Sequence, residues 1–341
     1  MNRLGAAALL TLLALFCSAA PGRCQARNWT FVDKTGQPAM SARYDMLLPL
    51  TGGLAPAQLS GKWGFVDRQG KLVVPATYEA ANSFCEGLAC VKRDGKWGFV
   101  DTQGKLLIKP QYEAPSDFSE GLAAERIAGK FGFIDKSGRL VIKPQFDKAA
   151  SFWEGLAPAV VSGKIGFIDR SGRQVIKPQF ETSPQHTFVN SFSGGLASVR
   201  IAAKWGFIDK TGKVVIPPKF DDAYPFSESL APVQSGSSWG CLDRTGRLVI
   251  AAKFESLGSF VNGLAPARVK GKWGFIDSKG NMVIPARFDT ANGFSEGLAA
   301  VELDGKTGFI DRQGKWVIKP SFAFAHPFSE GLAAVQLSSS K

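Results

Sequence analysis

A chain of 341 residues is long enough for two ordinary domains or one extended array, and a composition of 45% hydrophobic and 11% aromatic residues excludes disorder by composition. The formal charge of +12 points to acidic partners rather than basic ones, and the presence of only 2 histidines, His186 and His326, weighs against histidine-based acid–base chemistry.

The chain opens on "MNRLGAAALLTLLALFCSAAPGRCQA", a short basic start followed by an apolar run from Leu4 to Ala20 and then small residues. The run is shorter than a spanning helix needs, so residues 1–26 read as a secretory signal peptide rather than a membrane anchor. A lipid anchor is disfavoured because Phe16 and Arg23, not small residues, precede Cys17 and Cys24. No later segment is apolar for the ~20 residues of a spanning helix. The mature chain is therefore expected to be soluble and periplasmic or secreted, with no transmembrane segment. Loss of residues 1–26 removes Arg3 and Arg23 and no acidic residue, leaving +10. The partners expected are an acidic protein or an anionic envelope polymer, and nucleic acid is not expected in that compartment.

Three cysteines follow the cleavage site: Cys85, Cys90 and Cys241. Cys85 and Cys90 are candidates for a disulfide in an oxidising compartment, while Cys241 stands in "WGCLD" where other copies carry Phe and reads as a small buried side chain. No CxxC spacing occurs, and no metal or cofactor is expected.

From residue 29 on, the chain repeats itself. The residue before each Gly-Phe-type step falls at Trp29, Trp63, Trp97, Phe131, Ile165, Trp205, Trp239, Trp273 and Thr307. The spacing is 34 throughout except for one step of 40, which comes from a six-residue insertion near 181–190. One unit, "GKFGFIDKSGRLVIKPQFDKAASFWEGLAPAVV", divides into four pieces. Phe131–Asp135 is a strand ending in the turn "DKSG". Arg139–Ile142 is a second strand, expected to stop at Pro144. Phe146, Ala149 and Phe152 recur every three residues, a spacing that suits a helical or 3₁₀ turn. "GLAPAV" is a third strand, joined to the next unit by a short hairpin. The strands read as apolar on both faces, with Leu140 and Ile142 on one side and Val141 on the other, which calls for packed layers on either side. The glycine after the Trp is expected to leave room for a neighbour's aromatic ring. Trp63, Trp97, Trp205, Trp239 and Trp273 are structural positions of the repeat: a catalytic motif is needed once, a packing element many times.

The strings "GKWGFID", "GKxVIxP" and "FSEGLA", as in "GKWGFIDSKGNMVIPARFDTANGFSEGLAAV" at 271–301, resemble the WG-repeat (KWG-repeat) proteins of bacteria. The resemblance covers nearly everything from Trp29 to the C-terminus. Phe131, Ile165 and Thr307 depart from it at the Trp position, and Cys241 at the Phe position. It implies an all-β fold of about nine 34-residue β-meander repeats, and no reaction. An open, curved solenoid is favoured, with the poor first copy (27–60) as its cap and 61–341 as the array. The alternative is a closed, propeller-like ring in which a "WTFVD" strand at the start pairs with "GLAAVQL" at the end; nine units and 34 residues per blade count against it.

The repeated acids Asp67, Asp101, Asp135, Asp169, Asp209, Asp243, Asp277 and Asp311 each begin a turn and read as acceptors of its backbone N–H groups, as does the Glu column Glu86, Glu120, Glu154, Glu296 and Glu330. A carboxylate pair copied in every unit lacks the asymmetry that glycoside hydrolysis needs. The basic columns are the candidate binding residues. One is Lys62, Lys96, Lys130, Lys164, Lys204, Lys272 and Lys306; a second is Lys71, Lys105, Arg139, Arg173, Lys213, Arg247 and Lys315; a third is Lys109, Lys143, Lys177 and Lys319. A regular array turns each column into a stripe that holds a polyanion by many weak contacts, unless the Asp column neutralises it. The insertion at 181–195, with His186 and Phe188, is a candidate recognition loop. His326 reads as structural. The function expected is a non-enzymatic exported scaffold that binds a protein or envelope polymer. The alternative is a carbohydrate-binding or carbohydrate-modifying protein with its site at 181–195.

Overall fold

The computed structural model describes residues 28–114, 117–182 and 191–338. The expected signal peptide and residues 183–190 of the insertion, His186 and Phe188 among them, lie outside the described residues. Within them the chain is all β.

The unit is a three-stranded antiparallel meander with a short fourth strand. In residues 80–112, Ala80–Ala81 pairs with Leu88–Arg93, which pairs with Lys96–Asp101, which pairs with Leu106–Tyr112. We call these units blades and number them in chain order: I (46–78), II (80–112), III (113–146), IV (147–181), V (191–220), VI (221–254), VII (255–288) and VIII (289–322).

Each strand has its own burial pattern. Leu88–Val91 is wholly buried by small side chains, so both its faces meet neighbouring blades at close range. The third strand alternates: in Leu140–Phe146, Ile142 and Phe146 are buried, while Leu140 and Val141 are 47% and 46% exposed. The expectation that this strand is buried on both faces is thus corrected, because it is an outer strand with one side open to solvent. It also runs through Pro144 instead of stopping there. A proline is tolerated on an edge strand beside a bulge, and register shifts mark that bulge between Phe131 and Ile134. The glycine of the "WGF" step serves this same bulge. A Cβ on Gly98 would run into the carbonyl of Ile108 and stand 2.7 Å from the Pro110 nitrogen. The close neighbour is backbone of its own blade, not the aromatic ring expected from the sequence.

The Phe146–Ala149–Phe152 segment is not a helical turn. Ala149 lies in the two-residue strand Lys148–Ala149, and Phe152 points back onto Phe133 of blade III with ring centroids 4.9 Å apart. The recurrence of apolar residues there reflects one strand position and one inter-blade plug. The pair repeats around the molecule as Phe65–Phe84, Phe99–Phe118, Phe167–Phe192, Phe207–Phe226, Phe275–Phe294 and Phe309–Phe328.

The two ends of the chain meet. Trp29–Val32 pairs antiparallel with Ala333–Leu337, register Trp29↔Gln336 to Val32↔Ala333. Bridges Trp29↔Tyr44 and Val32↔Pro38 supply the outer strand, in the same register as Trp63↔Tyr78 and Val66↔Leu72 of blade I. Ala325, paired with Val335, supplies the short strand. These pieces make a complete ninth blade (IX) from both termini. The first copy is therefore not a cap: like every other copy it straddles two blades, giving middle and outer strands to blade IX and Met46–Leu47 and Ala55–Leu59 to blade I. Blade IX packs on blade VIII through Val32, Phe309, Phe328 and Val335, and on blade I through Phe31, Leu47, Leu50 and Ala57. Nine buried clusters fill nine junctions, whereas an open array of nine would have one fewer. Of the two arrangements compatible with the sequence, contacts between the ends select the closed, propeller-like ring. Each sheet stays open, and it is the circle of blades that closes. The short strand of two residues is what lets 34 residues make a blade.

Closure makes Phe31 a core residue, at 0% exposure. Phe31→Ala is expected to cost about 3–5 kcal/mol in urea unfolding, as a core Phe does, where a frayed cap would lose little. His326 adds a pH dependence. It is buried in blade IX between Trp29 and Phe324, at centroid distances of 5.5 and 5.1 Å, with no partner for Nδ1. Burial lowers its pKa from 6.5 to about 4. The unfolded chain takes up this proton at higher pH than the folded one, so stability is expected to fall as pH drops from 6.5 through 4. In His326→Asn, the residue that blades II and VIII carry there, that part of the acid loss should vanish from the urea midpoints.

Candidate functional site

The acid columns are consumed by structure, as their repetition suggested. Asp135 Oδ1 accepts the Ser137 and Arg139 amides at 2.9 and 3.0 Å, which closes the turn. The Ser137 hydroxyl, with those amides and Arg139, lowers the Asp135 carboxyl to about 2. Asp169, Asp209 and Asp243 repeat the pattern.

The Glu column does something the sequence did not show: it crosses between blades. Glu86 of blade II accepts the amides of Glu120 and Gly121 in blade III at 2.8 and 3.0 Å. Glu154 does the same for Gly194 and Gly195 at 2.6 and 2.8 Å, and Glu330 for Gly52 and Gly53 across the ring closure. A basic residue of the receiving blade stands at several of these carboxylates: Lys136 at Glu86 (3.2 Å), Lys210 at Glu154 (3.3 Å) and Lys34 at Glu296 (3.2 Å). This fourth basic column follows the repeated Asp in each turn. Its members are readable from the sequence, but their reach into the preceding blade is not. Beside the clamp, Ser119 Oγ donates to Phe152 O and Ser329 Oγ to Leu50 O, each at 2.6 Å.

The three basic columns fare differently. In the first, Lys130, Lys204 and Lys272 are held by Asp147, Asp221 and Asp289, each at 2.5 Å. In the second, Arg139, Arg173 and Arg247 fold back on Asp135, Asp169 and Asp243 of their own turns. Lys62, Lys96, Lys164, Lys306, Lys71, Lys105, Lys213 and Lys315 form no ion pair among the described residues. Neither column is an unbroken cationic stripe. The third column, Lys109, Lys143, Lys177 and Lys319, is exposed and likewise without an ion pair among the described residues. It shares the outer strands with the exposed aliphatics. Residues two apart on a strand point the same way, so Leu107 with Lys109, Val141 with Lys143 and Val175 with Lys177 line one face on three consecutive blades. Blades VI and VII place Lys253 and Arg287 farther along the corresponding strands.

Cys85 and Cys90 are not joined by a disulfide, Cys90 being buried and Cys85 half-buried, so the disulfide expectation does not hold in this structure. Cys241 is buried as expected. Cys90 belongs instead to a polar seam between blades II and III. Asn82 Nδ2 donates to Asp117 Oδ1 at 3.3 Å, and burial, with the negative charge of Asp117, raises the Cys90 thiol pKa. Glu125 of blade III is 0% exposed and both its carboxyl oxygens lack hydrogen-bond partners among the described residues. It replaces the Val or Ala found there in the other blades, such as Val91 and Ala159. In blade II that position pairs with Ala81; in the sequence of blade III the corresponding residue is Pro115, which lies outside the described residues. A lone Glu in an otherwise apolar column is the signal the sequence carries for it. An open cleft of about 420 Å³ between blades II and III is lined by Lys96, Tyr112, Glu113 and Arg126, and by none of the seam residues.

The fold is a closed ring of β-meander blades whose acids are committed to turns and inter-blade clamps. The chain matches the family described as WG containing repeat over residues 29–63, 63–97, 97–130, 131–164, 165–205, 205–237, 239–273, 273–306 and 308–339, and it belongs to that family. No curated protein matches it. Among solved structures, a eukaryotic initiation factor is similar at 14% identity, over 80% of this chain and 86% of that one, with a TM-score of 0.55. BamB from Moraxella catarrhalis (15%, 68% and 83%, TM-score 0.46) and virginiamycin B lyase from Staphylococcus aureus (11%, 76% and 94%, TM-score 0.39) also match. At these identities the likeness to the initiation factor is one of fold alone, and the other two carry no argument about this chain.

Burial pushes the Glu125 carboxyl up to about 9, so it is protonated at neutral pH. The folded state then holds a proton that the unfolded chain releases near 4.5, and stability is expected to fall as pH rises from there through 9. Glu125→Val should raise stability at pH 7 by about 1–3 kcal/mol and flatten that slope, measured as urea midpoints from pH 5 to 9.

Proposed function

We propose that the ring is a non-enzymatic, exported binding scaffold that engages an anionic partner, an acidic protein or an envelope polymer, along its outer strands. One observation carries this reading. Blades II, III and IV present an aliphatic side chain and a lysine without an ion pair among the described residues side by side on each outer strand: Leu107 and Lys109, Val141 and Lys143, Val175 and Lys177. Such a face offers apolar area and charge together, and contacts repeated at a fixed spacing add up for a long or multiply charged ligand. The commitment of the repeated acids to turns and clamps supports a scaffold over a catalyst. The leading segment "MNRLGAAALLTLLALFCSAAPGRCQA" supports export to the periplasm or beyond.

The test is retention on immobilised poly-glutamate across a salt gradient. The wild-type chain should bind at low salt and elute as ionic strength screens the contacts. The triple substitution Lys109→Gln, Lys143→Gln, Lys177→Gln should elute markedly earlier. Replacing the paired lysines Lys130, Lys204 and Lys272 instead should matter less. Equal elution of both triple variants would remove the outer strands from the account.

A further inference from the structure

The glutamate clamp shows how this ring binds a carboxylate. At the junction of blades IV and V, Glu154 is held by the amides of Gly194 and Gly195 and by Lys210, all three from blade V. Consecutive backbone N–H groups in a loop of positive φ make a ready anion cradle, and the cation beside them completes it.

At the next junction, between blades V and VI, the donors are in place and the carboxylate is missing. The clamp position of blade V is Gly194, which has no side chain to send across. The receiving loop of blade VI has the same form as the others: Ser227 N–H donates to Leu230 O at 2.8 Å, Leu230 N–H to Ser227 O at 3.0 Å, and Glu228 and Ser229 adopt φ of 50° and 70°. The amides of Glu228 and Ser229 have no acceptor among the described residues. The Glu228 side chain is turned forward to the amides of Asn262 and Gly263. Arg244, the counterpart of Lys210, lays its guanidinium against the vacant position, with Nη1 3.2 Å from where a Cβ on Gly194 would stand. It forms no ion pair among the described residues. Residues Gly194, Glu228, Ser229 and Arg244 are all exposed. The adjoining insertion, residues 183–190, contains no acidic residue that would fill the place from within the chain.

Two other junctions lack the glutamate and do not offer the same site. Gly52 faces a blade whose corresponding turn residue is Thr102, which brings no charge, and at Asn262 the position already carries a side chain. Only the V–VI junction combines an empty clamp position with an arginine.

We propose that the Glu228 and Ser229 amides together with Arg244 form a binding site for a carboxylate of a partner protein, an Asp or Glu side chain or a C-terminus. The incoming group takes the place that Glu154 takes one junction earlier, accepting the two backbone N–H bonds and pairing with the guanidinium. The site is independent of the outer strands of blades II–IV.

The test is titration of ¹⁵N-labelled, deuterated protein, following the Glu228 and Ser229 amide resonances. The probes are the blocked peptide acetyl-Gly-Glu-Gly-amide, its Gln analogue as control, and acetyl-Gly-Gly with a free C-terminus. The Glu peptide, the free C-terminus or both should shift these two amides saturably, which identifies the source of the carboxylate, and the Gln peptide should not. Arg244→Gln should weaken binding about tenfold, the size of one charge-assisted hydrogen bond. Gly194→Glu should move both amides to their bonded positions without ligand and abolish the response. Glutamates already occupy this φ at equivalent positions, as Glu154 does at 53°, so the variant is expected to fold. Absence of a saturable shift with either carboxylate probe, or an unchanged response in Gly194→Glu, would overturn the site.

Discussion

The whole molecule depends on one junction repeated around a circle. In all but one, a phenylalanine of one blade's middle strand meets an apolar side chain brought by the next blade's loop, as Phe133 meets Phe152; in blade VI Cys241 takes the place of the phenylalanine. A single meander of three strands cannot cover its two apolar faces, so each blade is stable only between two neighbours. That demand has two solutions: cap the ends or join them. This chain joins them, and the seam of blade IX with blade I, built on Phe31, Leu47, Leu50 and Ala57, is as apolar as any within the array.

Polar contacts follow the same geometry and refine it. The Glu clamp and the Ser-to-carbonyl bond link loops of adjacent blades on one side of the ring, where backbone amides in the left-handed region need acceptors. Because these contacts cross the closure as well, through Glu330 and Ser329, the ring has no polar discontinuity where its termini meet. Against so regular a background, departures stand out. The buried Glu125 beside Cys90 and Asp117 marks the II–III seam, and the Gly194 vacancy marks the V–VI seam. A repeat protein can specialise one junction at modest cost, since the others hold the circle.

Regularity also shapes the binding surface. Lysines that recur in sequence do not become equivalent in charge: Lys130 is held by Asp147, while Lys143, thirteen positions on, has no ion pair among the described residues. What a partner meets is the outer strand, where Val141 and Lys143 stand on one exposed face. Exposed ion pairs such as Lys130–Asp147 contribute little to stability, so their main effect is to remove charge from the columns.

Much of this architecture was legible from residues alone. The 34-residue period, the all-β unit, the turn-closing role of Asp135 and its counterparts and the burial of Cys241 all follow from local turn chemistry and from apolar residues recurring at fixed spacing. The misreadings share a cause. From residues alone Pro144 reads as a strand end, Phe146–Ala149–Phe152 as a helical turn and the "WGF" glycine as space for a ring. Each depends on which strand is an edge, where the bulge lies and which blade packs behind, and a side-chain period of two or three does not carry that information. Closure, too, rests on Trp29 meeting Gln336, residues at opposite ends of the chain whose pairing no local rule encodes. The sequence by itself thus determined the blade and its count, because these arise within a few residues of one another. Only the tertiary structure decided that the blades form a ring, which lysines are taken up in ion pairs and where a carboxylate is missing, because those are set by contacts between neighbours in space.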